Sequence, residues 1–162
     1  MLEELTMFAR QFIQKNYELE LTIPIQRNNR LRTTLGRYVY QKQKNIPLRI
    51  ELAGFILDYG ASTAIIDVLK HECIHYSLHM QGLPCTDGHP YFEAELKKHG
   101  VSSTNRTMIG KYYVYTCNSC GNENVTKQKS VVQSPDKYRT SCCNATLIIV
   151  GERIYDGTKM TG

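Results

Sequence analysis

The chain of 162 residues has the pattern of an α+β fold. Three features predict it. Residues 61–82, ASTAIIDVLKHECIHYSLHMQG, form one long helical segment that is apolar around almost its whole circumference, which marks a buried helix. Short runs rich in strand formers precede it. From about residue 111 the sequence becomes β-rich and cysteine-bearing, in KYYVYTCNSCGNENV and KYRTSCCNATLIIVGERIY. The expected division is a core over 1–108, a cysteine module over 109–155 and a tail over 156–162, with the change of character near 105–111.

Taken in order, residues 1–16 carry Leu2, Leu5, Met7, Phe8, Phe12 and Ile13 at the spacing of an amphipathic helix. Residues 21–25, LTIPI, predict a short strand, and Pro24 favours an edge position because it cannot donate to a ladder. Asn28-Asn29 is turn chemistry, LGRYVY a second strand, and LRIELAGFIL a third strand pattern. Ser62 or Thr63 is placed to cap the long helix and Gly82 to end it. LPCTDGHP predicts a loop, and YFEAELKKHG a short helix closed by Gly100. The C-terminal part predicts two hairpins joined by the polar loop TKQKSVVQSPD.

At 41% hydrophobic and 22% charged residues the composition is that of a globular protein. A net charge of +5 permits an anionic partner without requiring one. No apolar run approaches the roughly 20 residues that span a bilayer, so no membrane is expected. MLEELTMFARQF lacks the basic start and apolar middle of a secretory signal. The expected location is cytoplasmic, where the six cysteines serve as thiols or metal ligands rather than disulfides.

His71-Glu72-Cys73-Ile74-His75 matches H-E-x-x-H. On a helix, positions four apart share a face, so two imidazoles can converge on one Zn2+ ion at about 2.0–2.1 Å. Glu72 is too far round for a comfortable third ligand and well placed to take a proton from a metal-bound water. The bland alternative is a chance match on a helix that tolerates polar groups. Burying two imidazoles and a carboxylate without partners would cost several kcal/mol, which a metal relieves and an open cleft relieves in part. A third ligand is then needed. His79 lies two turns, about 12 Å, from His71, too far to share an ion with it, and is expected at the surface or behind the ligands. His89, beyond the Gly82 stop, is favoured, with Glu93 and Glu95 as alternatives. His99 is expected at the surface near a helix C-terminus. Cys73 is expected to be a packed thiol, and Cys85 a loop thiol of no assigned use.

In this order of motifs the sequence resembles the SprT-like family of zinc metallopeptidases, whose best-known eukaryotic member is Spartan. RLRTTLGRYVY is similar to the family's basic stretch leading into a hairpin, and IELAGFIL to the strand before its active helix. HECIHYSLHMQG matches the active helix, GHPYFEAELKKHG resembles the H-x-x-F element, and YTCNSCG opens a zinc-ribbon-like module. The resemblance covers about residues 5–150, is specific as an ordered set, and is closest to short bacterial members. It implies a zincin-type α+β core, peptide-bond hydrolysis, and metal ligands His71, His75 and His89 with Phe92 as a packing residue. It implies a protein or peptide substrate; the eukaryotic relatives degrade proteins crosslinked to DNA.

Cys117-x-x-Cys120-Gly121 has the form of a zinc knuckle, able to grip an ion at about 2.3 Å. The family pattern closes with a second C-x-x-C just after a tyrosine. Aligned through Tyr138, this chain has Thr140 in the third cysteine's place and Cys143 in the fourth's. Cys142 can act as a displaced third ligand if a bulge turns it, since neighbours in a strand point to opposite faces. A second, structural zinc held by Cys117, Cys120, Cys142 and Cys143 is one expectation; a metal-free or three-ligand hairpin is the other.

Residues 21–50 hold seven basic side chains and no acidic one, with Tyr38 and Tyr40 among them. Arg27, Arg30, Arg32 and Arg37 are the candidate contacts for DNA or RNA, by phosphate tracking and stacking. The alternative is a hairpin kept soluble by charge. Two functions follow from the whole sequence: a zinc endopeptidase with Glu72 as general base, or a non-enzymatic zinc protein associated with nucleic acid.

Overall fold

The structure, a computed structural model, describes residues 1–103 and 107–158. The expected boundary near 105–111 falls partly on residues 104–106, and the end of the expected tail on 159–162; both stretches lie outside the described residues. The architecture is mixed α and β.

Helix α1 spans Leu2–Tyr17 and buries Leu5, Ala9, Ile13 and Tyr17, a stripe with a period of four. Glu18, at φ 56, ends it in the left-handed region. Strand β1 is Ile25–Asn28 rather than residues 21–25. Leu21 and Ile23 are buried, but ladder pairing begins only beyond Pro24, whose carbonyl accepts from Ile50 N–H. Strands β2 (Gly36–Gln41) and β3 (Ile46–Ala53) complete a three-stranded sheet in the order β1-β3-β2, with β1 parallel and β2 antiparallel to β3. Pro24 thus leads into an edge strand.

LRIELAGFIL is not one strand. β3 stops at Ala53, and Gly54–Tyr59 forms helix α2. The ladder explains the change: Asn28, the last residue of β1, pairs with Ala53, and β2 begins at Gly36 opposite Leu52. Beyond Ala53 no strand remains to pair with, so the backbone satisfies itself as a helix. Gly54 permits the turn there, since a Cβ would lie 2.0 Å from Asn29 Oδ1.

Helix α3 spans Ser62–Met80 and packs between the sheet and α1. Its N-cap is Ala61, with no side-chain cap from Ser62 or Thr63; instead Ala61 N–H donates to Asp156 O. Gly82, at φ 69, ends it as expected, with Leu83 N–H on Leu78 O and Gly82 N–H on His79 O, a Schellman closure. Helix α4, Pro90–Lys98, ends the same way at Gly100.

The C-terminal module is one antiparallel sheet in the order β5-β4-β6: β4 Ile109–Cys117, β5 Glu123–Thr126 and β6 Leu147–Asp156. Among the described residues of the module, only β4 and β5 form a hairpin. The expected second hairpin does not form, because residues 138–146 are used in turns around the cysteines and β6 pairs along the other side of β4. The expected polar loop contains a short helix, α5, Lys129–Gln133. β6 runs to Asp156, so the sheet reaches one residue into the expected tail. Ile109 is fully buried in the main core, and Lys127 Nζ lies over the rings of Phe55 and Tyr112, so the module leans on α2. Among the described residues no helix is long and apolar enough to cross a membrane.

Candidate metal centre

The middle of α3 is the most buried helical stretch of the chain, and it carries the polar trio. His71 is 7% exposed and Glu72 5%; the His75 side chain is 12% exposed. Helical spacing brings the two rings to 4.9 Å between centroids. Phe92 of α4, fully buried, stacks on His75 at 4.1 Å and meets His71 edge-on at 5.3 Å. This is the packing role expected of Phe92.

Each ring is held by its other nitrogen. His71 Nδ1 donates to Ser102 O (3.2 Å) and His75 Nδ1 to Cys85 O (2.6 Å). A carbonyl oxygen only accepts, so Nδ1 carries a proton in both rings, which leaves Nε2 as the atom of each ring that can face a metal. Burial lowers the pKa of His75, favouring its neutral form.

The third group facing these nitrogens is Asp87, a residue the sequence reading did not select. Its Oδ1 lies 3.0 Å from His71 Nε2 and 3.3 Å from His75 Nε2. Donor atoms about 2.0–2.1 Å from a tetrahedral zinc stand roughly 3.3 Å apart, so the spacing suits such an ion. His71, His75 and Asp87 form a group able to bind a metal.

His89, the favoured third ligand, is not brought to the pair. It is the exposed N-cap of α4, and its Nδ1 accepts from Tyr91 N–H at 3.2 Å. The cause is the turn of 86–89, closed by His89 N–H on Thr86 O with Gly88 at φ 79, which sets Asp87, itself exposed, over the imidazole pair and commits His89 to capping. Glu93 accepts from Gly88 N–H, and Glu95 binds Tyr17, Lys98 and His99, so neither alternative reaches the pair. The one available signal for Asp87 was its place before Gly88 in that turn. His79 stands apart between Tyr38 and Asn45. His99 is not a surface residue: its side chain is 10% exposed, packed edge-on against Phe12.

Glu72 faces a cleft of about 270 Å³ lined by Gly36, Tyr38, Tyr40, His75, Cys85 and Asp87, among others. Burial, with the like charge of Asp87 adding to it, pushes the Glu72 carboxyl up to about 8, against a hydrogen bond from the Tyr38 backbone N–H. Gly36 lets β2 come this close. A Cβ there would lie 2.7 Å from Val68 Cγ1 and 3.2 Å from Glu72 Oε1. Cys73 is a fully buried thiol in the core, and Cys85 borders the cleft.

The model of the SprT-like family matches residues 2–109, two-thirds of the chain and all of the site just described. The chain belongs to the SprT-like family. Among its relatives, the SprT-like protein of Bacillus subtilis (strain 168) is 30% identical over 132 residues, covering 74% of this chain and 78% of that protein. That of Bacillus velezensis is 29% identical over 126 residues, with the same coverage, and that of Bacillus cereus 35% identical over 107 residues, covering 63% and 67%.

Beyond the family match the SprT-like chain carries a second group. Cys117, Cys120, Cys142 and Cys143 bring their sulfurs within 4.8 Å of one another and could also bind a metal. Cys117 is buried and the other three are exposed.

The candidate nucleic-acid arginines are unequal. Arg27 pairs with Asp58 through two 2.7 Å hydrogen bonds. Arg37 and Arg49 both clasp the buried Glu51 at 2.6 Å, joined by Asn28. Burial pushes Glu51 up, but the hydrogen bonds from Arg49, Asn28 and Arg37 outweigh it and hold its carboxyl at about 2. Arg30 and Arg32 are exposed and form no ion pair among the described residues. Arg27, Arg30, Arg37 and Arg49 line an open hollow of about 600 Å³.

Proposed function

We propose that this protein is a zinc-dependent peptidase with a zincin-like core, acting on protein or peptide substrates inside the cytoplasm, with Glu72 as its general base. The observation that carries the reading is the mutual approach of three lone-pair donors, His71 Nε2, His75 Nε2 and Asp87 Oδ1, at 3.0 and 3.3 Å. Three lone pairs at this spacing repel one another unless a proton or a cation lies among them. A proton on His71 Nε2 would bridge to Asp87 at 3.0 Å but leave His75 Nε2, where burial disfavours a proton, facing the same oxygen, whereas one cation satisfies all three. The donor set fits a zinc ion.

A bound zinc ion supplies a Lewis acid that lowers the pKa of a coordinated water towards about 7 and polarises a peptide carbonyl. The rest falls to the chain. His71 and His75 hold their donors forward through the hydrogen bonds to Ser102 O and Cys85 O. Glu72, next to His71 and open to the cleft, accepts a proton at its carboxylate and returns it to the leaving amine. Its elevated pKa suits both halves of that task, since a group near the working pH exchanges protons in either direction. Tyr38 N–H fixes the carboxylate, and the Phe92 ring excludes water behind the imidazoles.

The test is cleavage of a protein substrate by zinc-loaded chain, by chelator-treated chain and by His75→Ala. Cleavage confined to the loaded wild type supports the reading; equal cleavage after metal removal contradicts it. A second reading, contact with DNA or RNA, is favoured by the exposed Arg30 and Arg32, while Asp58 and Glu51 already neutralise Arg27 and Arg37.

A further inference from the structure

Two turns of the C-terminal module repeat one hydrogen-bond pattern on unequal residues. In the first, Cys117 N–H donates to Asn122 O (3.0 Å), Gly121 N–H donates to Cys117 O (2.8 Å), and Gly121 has φ 70. In the second, Thr140 N–H donates to Ala145 O (2.9 Å), Asn144 N–H donates to Thr140 O (2.9 Å), and Asn144 has φ 50. Position by position, Thr140 stands for Cys117, Cys143 for Cys120 and Asn144 for Gly121. The backbone has kept a second knuckle whose first sulfur is missing.

The hydroxyl in that place is already engaged. Thr140 is 3% exposed; its Oγ1 accepts from Ala145 N–H at 3.2 Å, and for its own proton it has Cys117 Sγ at 3.2 Å and, farther off, Ala145 O at 3.4 Å. A neutral hydroxyl with one of its two lone pairs taken by an amide is a weak metal ligand beside a thiolate, but it can give its proton to one. The missing sulfur is supplied from beside the knuckle. Cys142 Sγ lies 3.6 Å from Cys120 Sγ, and all four sulfurs fall within 4.8 Å of one another. Sulfurs about 2.3 Å from a tetrahedral ion stand roughly 3.8 Å apart.

We propose that the module holds a divalent metal ion with four thiolates, the third having moved from position 140 to Cys142, and that Thr140 serves as a hydrogen-bond donor to the Cys117 sulfur rather than as a ligand. The site is closed by its sulfurs and needs no water, as a structural ion requires. Cys117 is buried and the other three sulfurs, Cys142 among them, stand on the exposed side, so metal leaves from the side that Cys142 closes. The inference stands apart from the peptidase reading, because the histidine site contributes no sulfur.

The experiment uses the full chain, reduced and loaded with Co2+, read by its thiolate-to-cobalt charge-transfer band, which the histidine site does not produce. Wild type shows the intensity of four sulfurs. Cys142→Ser loses about a quarter of it and yields metal to a chelator at least 10-fold faster. Thr140→Val keeps the four-sulfur spectrum while affinity falls about 10- to 100-fold, the usual cost of losing a partner behind a ligand. The double variant Thr140→Cys/Cys142→Ser, which rebuilds the symmetric knuckles, recovers the full band, so misfolding of the single variant is distinguished from loss of a ligand. An unchanged band in Cys142→Ser, a band that loses intensity in Thr140→Val, or no band in wild type overturns the proposal.

Discussion

Gly36 and Glu72 touch across the β2–α3 contact with no room for a side chain between them: a Cβ at 36 would lie 3.2 Å from Glu72 Cγ and 2.7 Å from Val68 Cγ1. Glu72, the proposed general base, is therefore held by a strand as well as by its own helix. Gly36→Ala must push β2 from α3 or displace Glu72. The expected cost is about 1–3 kcal/mol of stability, with a larger proportional loss of peptide cleavage. Thermal unfolding and cleavage rates on the same preparation check both.

The Glu72 carboxyl, ordinarily at 4.5, is raised to about 8 in the fold. The native state thus binds a proton that the unfolded chain releases. The stability this contributes is full below about pH 4.5, declines as pH rises, and is gone above about pH 8. Metal-free protein should lose Tm between about pH 5 and pH 8, and Glu72→Gln should flatten that slope. A slope identical in the two proteins would show that Glu72 does not titrate there.

Zinc affinity separates the two residues of the 86–89 turn. Asp87 faces both imidazoles, while His89 caps α4. Asp87→Asn should weaken zinc at the histidine site about 10-fold or more. His89→Gln should leave that affinity unchanged and cost α4 a few tenths of a kcal/mol to about 1 kcal/mol as a lost cap. Titration calorimetry on both variants checks this; the reverse ranking would mean that the turn rearranges around the ion.

Much of this was legible in the residues. The trio on α3 and the packing of Phe92 were readable because helical spacing and burial are both local facts. The helical fate of GFIL was not, because it depends on where β1 runs out of partners at Asn28. Asp87 was hidden for a similar reason: the turn's hydrogen bond from His89 N–H to Thr86 O decides which side chain faces the imidazoles. His99 looked like a surface residue by its place near a helix end, and only the approach of α1 buries it. In the cysteine module, aligning through Tyr138 found the right place for Thr140, but its bond to Cys117 required the fold.

Nucleic-acid contact on the basic stretch should rest on Arg30 and Arg32, since Arg27 and Arg37 have carboxylate partners. Binding measured over a salt series should weaken steeply with salt, and Arg30→Ala with Arg32→Ala should reduce the slope by about 2. No binding at low salt would remove this reading and leave the peptidase proposal untouched.

The most direct measurement pairs zinc content with substrate cleavage in Glu72→Gln. The substitution keeps the shape of the side chain and removes its ability to take a proton, while His71, His75 and Asp87 remain. The expected result is zinc retained at the histidine site with cleavage lowered by about 100-fold or more. Undiminished cleavage by the zinc-loaded variant would contradict the role assigned to Glu72 and with it the proposed mechanism.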